Sequence, residues 1–92
     1  MNALSRGLRD QFTEAFIDFQ ADDAIRIVIV TGSGKAFCAG FDLKEMASGG
    51  DASPAETQQN TMASAMSDFD GPIIAAVNGF AITGGFEIAL AC

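Results

Sequence analysis

The stretch "IRIVIV", residues 25–30, is β-branched and interrupted by a single polar residue, Arg26. A run of this kind reads as a strand covered on both faces, which is the habit of parallel sheets flanked by helices. Downstream, "IIAAV", residues 73–77, is a second apolar run of the same kind, and Asn78-Gly79 after it forms a turn signal. Between the two lies "SPAE", with Ser53 as N-cap, Pro54 at the first helical position and Glu56 placed to close a capping box, so a helix starts at Pro54. Met62, Ala65, Met66 and Phe69 give that helix one apolar stripe, and Asp70-Gly71-Pro72 ends it. Strand, helix, strand in this order is a right-handed crossover, so the strands are expected to run parallel with their carboxyl ends on one edge. Upstream, Leu4, Leu8, Phe12, Phe16 and Phe19 follow the three-and-four spacing of an amphipathic helix that Asn2 caps, with Arg9, Glu14 and Asp18 on its polar face.

The totals bound the function. Ninety-two residues, 49% of them hydrophobic, make one compact α/β core at most. Twelve acids against five bases give a formal charge of -7, which argues against nucleic acid and anionic membrane surfaces as partners. No apolar run has the length of a membrane span and no secretory pattern follows Met1, so a cytoplasmic protein is expected. Cys38 and Cys92 are too far apart in sequence for a paired-cysteine zinc motif and fit reduced thiols, with Cys38 read as a small buried hydrophobe. Histidine is absent, which removes His-activated nucleophiles and the commonest metal ligand, so no metal site is expected and carboxylates are left as the acid-base groups.

Ligands of parallel sheets sit at the carboxyl edge of the strands. The segments leaving that edge are 31–46, "TGSGKAFCAGFDLKEM", and 78–85, "NGFAITGG", with the region from Thr31 to Ser53 read as one long connection. "TGSGK" fails the P-loop pattern, because Ile29 stands where its first Gly belongs and Ala36 where Ser or Thr belongs; Phe37 likewise breaks a dinucleotide fingerprint. "CAGFD" and "TGGFE" are a different matter. Each puts glycine where backbone approaches something closely, and each can offer amide N–H groups at the same edge, either as plain turns or as an anion-stabilising pair. Asp42 caps a short helix beginning at Leu43, and Glu45 is a solvated side chain. Glu87 has two readings: a first-turn acid that complements the helix dipole, or a reagent. Apolar neighbours and the lack of a basic partner predict a desolvated carboxyl with a raised pKa.

Taken together, "MNAL", "IVIVTGSGKAFCAGFDLKEM" and "PIIAAVNGFAITGGFEIALAC" resemble, in order and spacing, the crotonase family of enoyl-CoA hydratases and isomerases. The resemblance implies a crotonase-like spiral of ββα units, of which residues 1–92 are expected to be a part lacking a preceding strand and a C-terminal half. It implies an acyl-CoA substrate with no separate cofactor, and assembly as a homotrimer or homohexamer. By motif position, the backbone N–H groups of Phe41 and Gly84 would form the oxyanion hole. Ala3, Ala39, Asp42 and Leu43 would line the substrate site, and Glu87 would be the catalytic acid-base group. Arg26, Lys35 and Lys44, with Asp42 the acid among them, suggest a locally basic patch for the polyanionic CoA. Thr83 stands where many hydratases have another glycine.

Overall fold

The computed structural model describes residues 2–40 and the backbone from 55 to 92, with side chains from 61 onward in the second stretch. Among the described residues the order is α1 (Arg6–Ala21), β1 (Val28–Thr31), β2 (Ala36–Cys38), α2 (Ala55–Asp68), β3 (Ile73–Ala76), β4 (Phe80–Ala81) and α3 (Gly84–Ala91). The Ser53–Pro54 helix start, the short helix at Leu43 and the setting of Glu45 fall outside the described residues.

Helix α1 begins later than the Asn2 cap predicts. Ser5 is the N-cap, its hydroxyl accepting from the Leu8 N–H at 3.2 Å. Asn2 is drawn away from the helix by the sheet: its Nδ2 donates to the Ser33 and Ala36 carbonyls at 3.0 and 2.9 Å. Leu4 is buried and its N–H donates to the Gly40 carbonyl at 2.6 Å, which ties the segment before Ser5 to the end of the first described stretch. Arg9 also departs from expectation, being buried instead of solvated, with its Nη1 donating to the Leu4 carbonyl at 2.8 Å. A charge under cover needs such hydrogen bonds to offset lost hydration.

The core forms where α1 meets α2. Phe16 stacks edge-on against Phe69 with centroids 6.1 Å apart, and Phe12 and Phe19 flank Phe16 at 5.0 and 5.6 Å. Met62, Ala65, Met66 and Phe69 are all buried, as their spacing on α2 predicts. Each fully buried Phe or Met contributes about 1.5–3 kcal/mol of apolar transfer.

Strands β1 and β3 pair in parallel, Val28 opposite Ile73 through Thr31 opposite Ala76, which is the expected crossover arrangement shifted along the first run. The expected cover on both faces is not found among the described residues. Val28, Val30, Ile73 and Ala75 share the inward face, the first three joining or bordering the core, whereas Ile29, Thr31, Ile74 and Ala76 share a face open to solvent. A second parallel pair, β2 with β4, lies in segments that the sequence reading treats as connection and turn. Its strands are three and two residues long, too short to carry a periodicity, and they are joined only by contacts more than forty positions apart in sequence.

Candidate active site

The β2–β4 pair brings the two glycine-rich segments together. Beyond the last paired residues the Ile82 N–H donates to the Cys38 carbonyl at 3.0 Å, so the chain from Cys38 to Gly40 runs beside that from Ile82 to Gly84. Gly40 has φ 88, a conformation that costs glycine little and other residues much. A Cβ there would collide with the Thr83 hydroxyl, so Gly40 and Thr83 are in direct contact. Gly85 is equally close to β2, since a Cβ on it would strike the carbonyl and Cβ of Cys38.

From this contact α3 departs. The Gly85 N–H donates to the Ile82 carbonyl at 2.8 Å, closing a turn, and the Glu87 N–H donates to the Thr83 carbonyl at 3.0 Å, starting the helix. Gly84 is buried at the first helical position, and Glu87 stands in the first turn. The desolvated environment expected for Glu87 is corrected by the structure, which leaves its side chain exposed. The cause is that α3 covers itself on one side only: Ile88 is buried, while Phe86 and Leu90 are open to solvent.

Of the residues marked from sequence, Ala39 is half-buried next to Gly40, and Ala3 is half-buried next to Leu4, whose N–H holds the Gly40 carbonyl. Ala3, Ala39 and Gly84 therefore border one small region. Phe41, Asp42 and Leu43 lie outside the described residues. The basic patch does not form as expected. Arg26 precedes β1, in a hollow shared with Asp22, Asp23 and Asp70, whereas Lys35 follows the strand at the opposite end of the β1–β3 pair, beside Gly79. Lys44 is not described.

Cys38 is a buried free thiol. Burial pushes its pKa up, and the Gly40 N–H aimed at the sulfur offsets this in part. Cys92 is half-buried and its thiol is pushed up by burial too. Among the described residues no group of three or more acidic, Cys or His side chains is arranged to hold a metal ion. Between α1, the strands and α3 is a cavity of about 230 Å³, lined chiefly by Leu4, Phe12, Val30, Phe37 and Ile88 with Asn2 at its margin.

Asn2 and Asn78, read from sequence as a helix cap and part of a turn, hold a further segment in place. Asn78 accepts from the Gly32 N–H at 3.0 Å and donates to the Gly34 carbonyl at 2.9 Å, while Asn2 reaches the same turn from the other end of the chain. Between them they fix residues 32–36, which lead into β2. The adjacent Asn78-Gly79 pair gave a turn signal, and only the three-dimensional pairing reveals the second use of the side chain.

A parallel α/β arrangement with two glycine-bearing segments crossing at the end of its strands is the frame that known proteins share with this chain. A profile of the enoyl-CoA hydratase/isomerase family matches residues 1–92. The chain belongs to that family, and its fold is the crotonase fold of the solved neighbours. An Arabidopsis thaliana protein named "Probable enoyl-CoA hydratase 1, peroxisomal" is 44% identical over 94 residues, covering 100% of this chain and 34% of that protein. The carnitinyl-CoA dehydratase of Proteus mirabilis is 41% identical over 93 residues, covering 98% of this chain and 35% of the relative. The crystal structure of enoyl-CoA hydratase from Bacillus anthracis superposes with a TM-score of 0.82 at 35% identity, over 98% of this chain and 36% of that one. The chain thus spans about a third of the length of the relatives it matches. No helix among the described residues is long and apolar enough to cross a membrane.

Proposed function

We propose that the protein acts on acyl-CoA thioesters as an enoyl-CoA hydratase-type lyase, adding water across the double bond of a 2-enoyl-CoA. In this reading the N–H groups of Phe41 and Gly84 receive the thioester oxygen. Water attacks the β-carbon, the π electrons move onto that oxygen as an enolate, and the Glu87 carboxylate takes the proton that water gives up. As the enolate collapses, the Glu87 carboxyl returns a proton to the α-carbon, so that H and OH of one water are added and the carboxylate is regenerated. The enolate is the high-energy species, and fixed amide donors stabilise it without reorganising. CoA is part of the substrate and no separate cofactor enters.

The observation that carries this reading is the contact of Gly40 with Thr83. These residues immediately precede the two proposed donors, so both donor peptides leave from one point. The position of Glu87 three residues past Gly84, exposed on the first turn of α3, supports its access to a substrate there. A cytoplasmic location belongs to the same reading and is supported by the two free thiols. The carnitinyl-CoA dehydratases among the relatives favour a second direction for the same chemistry, elimination of water from a 3-hydroxyacyl thioester. In the full-length protein, Glu87→Gln should lower hydration of crotonyl-CoA by about 10²–10⁴-fold while butyryl-CoA still binds in calorimetry. Wild-type turnover in that variant removes Glu87 from the mechanism.

A further inference from the structure

Among the described residues, Asn2 and Thr83 are the non-glycine positions with positive φ, at 55 and 47. Asparagine tolerates this region better than most residues, but it still costs free energy and persists where the surroundings enforce it. At Asn2 the enforcing contacts are long-range. Its Nδ2 donates to the Ser33 carbonyl at 3.0 Å and to the Ala36 carbonyl at 2.9 Å, at the entrance to β2. Two residues further on, the Leu4 N–H donates to the Gly40 carbonyl at 2.6 Å, past the exit of the same strand. The segment 2–4 is thus fastened at both ends of β2, by a side chain at one and by main chain at the other.

Between these two ties Phe37 and Cys38 are buried, whereas Ala3 and Ala39 keep some exposed surface and carry only a methyl group each. The Leu4 tie alone would let the segment pivot about Gly40, and the Asn2 amide removes that freedom. Glu87 is anchored by other contacts: its N–H donates to the Thr83 carbonyl at 3.0 Å, and Gly85 in the same turn packs on Cys38. Neither contact uses residues 2–4. Resting on the function proposed above, with Ala3 and Ala39 against the substrate, we infer that Asn2 is a positioning residue for acyl-CoA binding: its side-chain amide fixes the spacing of Ala3 and Ala39, and so governs affinity for the thioester while leaving the acid-base step alone.

The test uses the full-length protein and three readouts: unfolding midpoint, affinity for unreactive butyryl-CoA, and kcat and KM for crotonyl-CoA. Asn2→Gly suits the positive φ and deletes both donated bonds, so butyryl-CoA should bind about 5- to 30-fold more weakly and KM should rise in step, with kcat kept. Asn2→Asp is equal in size but its ionised side chain only accepts, so it should show the same loss, and it carries the test should the glycine variant not fold. Ser5→Ala removes the cap of α1 without touching either tie; its unfolding midpoint should fall while its affinity stays that of the wild type. Wild-type affinity in Asn2→Asp overturns the inference, because the donor would then not matter. An equal loss of affinity in Ser5→Ala overturns it too, being the mark of general loosening, and so does a fall in kcat with KM unchanged. A wild-type protein that neither binds butyryl-CoA nor hydrates crotonyl-CoA sinks the proposed function and this inference with it, whereas an active enzyme indifferent to the Asn2 variants sinks this inference alone.

Discussion

Gly40 carries more constraints than any other described residue at the site. Its positive φ, the Leu4 N–H on its carbonyl and the Thr83 hydroxyl against its Cα leave no room for a side chain, and a Cβ would also sit 3.0 Å from the Ile82 carbonyl. Gly40→Ala should therefore destabilise the full-length protein by about 1–3 kcal/mol from backbone strain alone, read as an earlier urea midpoint; an unchanged midpoint contradicts this close fit. Beside it, the raised Cys38 thiol makes a pH prediction. Its folded pKa lies above the unfolded one, so the stability it contributes is complete below the ordinary thiol range. As pH rises through that range the unfolded chain ionises first, and this contribution declines until the folded thiol titrates too. Cys38 should also react slowly with thiol reagents at neutral pH until denaturant is added, and fast labelling of the native protein would show the burial to be wrong. At this scale the glycines and Glu87 could be found from their spacing. The exposure of Glu87, the burial of Arg9 and the positive φ of Thr83 could not, because each is decided by what packs against the residue and not by its own preference.

The elements were legible in proportion to their length and self-sufficiency. Helices α1 and α2 announce themselves through apolar spacing, and β1 and β3 through β-branched runs, since each signal lies within one contiguous stretch. Strands β2 and β4 exist through pairing with each other, so the segment of either alone looks like loop. The turn at 32–36 is similar: it is held by Asn2 and Asn78, whose amides come from distant parts of the chain. Asn78→Ala removes the acceptor of the Gly32 N–H and the donor to the Gly34 carbonyl, at a cost of about 1–2 kcal/mol for exposed and half-buried hydrogen bonds. Amide exchange at Gly32 should accelerate in this variant. Exchange at the wild-type rate would mean that Asn78 does not hold the turn.

For the whole molecule, the described surface is unusual in where it is apolar. Ile27, Ile29, Ile74 and Val77 are exposed around the open face of β1 and β3, and Phe80, Ile82, Phe86 and Leu90 are exposed on β4, its following turn and α3. Large apolar side chains exposed in such number on neighbouring elements ordinarily mark contact with further protein. The relatives are about three times as long as this chain. Residues 1–92 alone should bind an apolar fluorescent dye, self-associate in sedimentation and show no hydratase turnover. A monodisperse and dye-silent 92-residue chain would contradict the assignment of those faces.

Under the proposed function, two main-chain amides next in sequence to the Gly40–Thr83 contact polarise one thioester oxygen. The direct measurement is the infrared carbonyl stretch of butyryl-CoA, ¹³C-labelled at the thioester carbon, bound to the full-length protein. Two aligned donors in a site shielded from water weaken the C=O bond, so the band should move to lower frequency than in free solution. A bound ligand whose carbonyl band stays at its solution frequency, or rises as in an apolar solvent, would contradict the oxyanion hole.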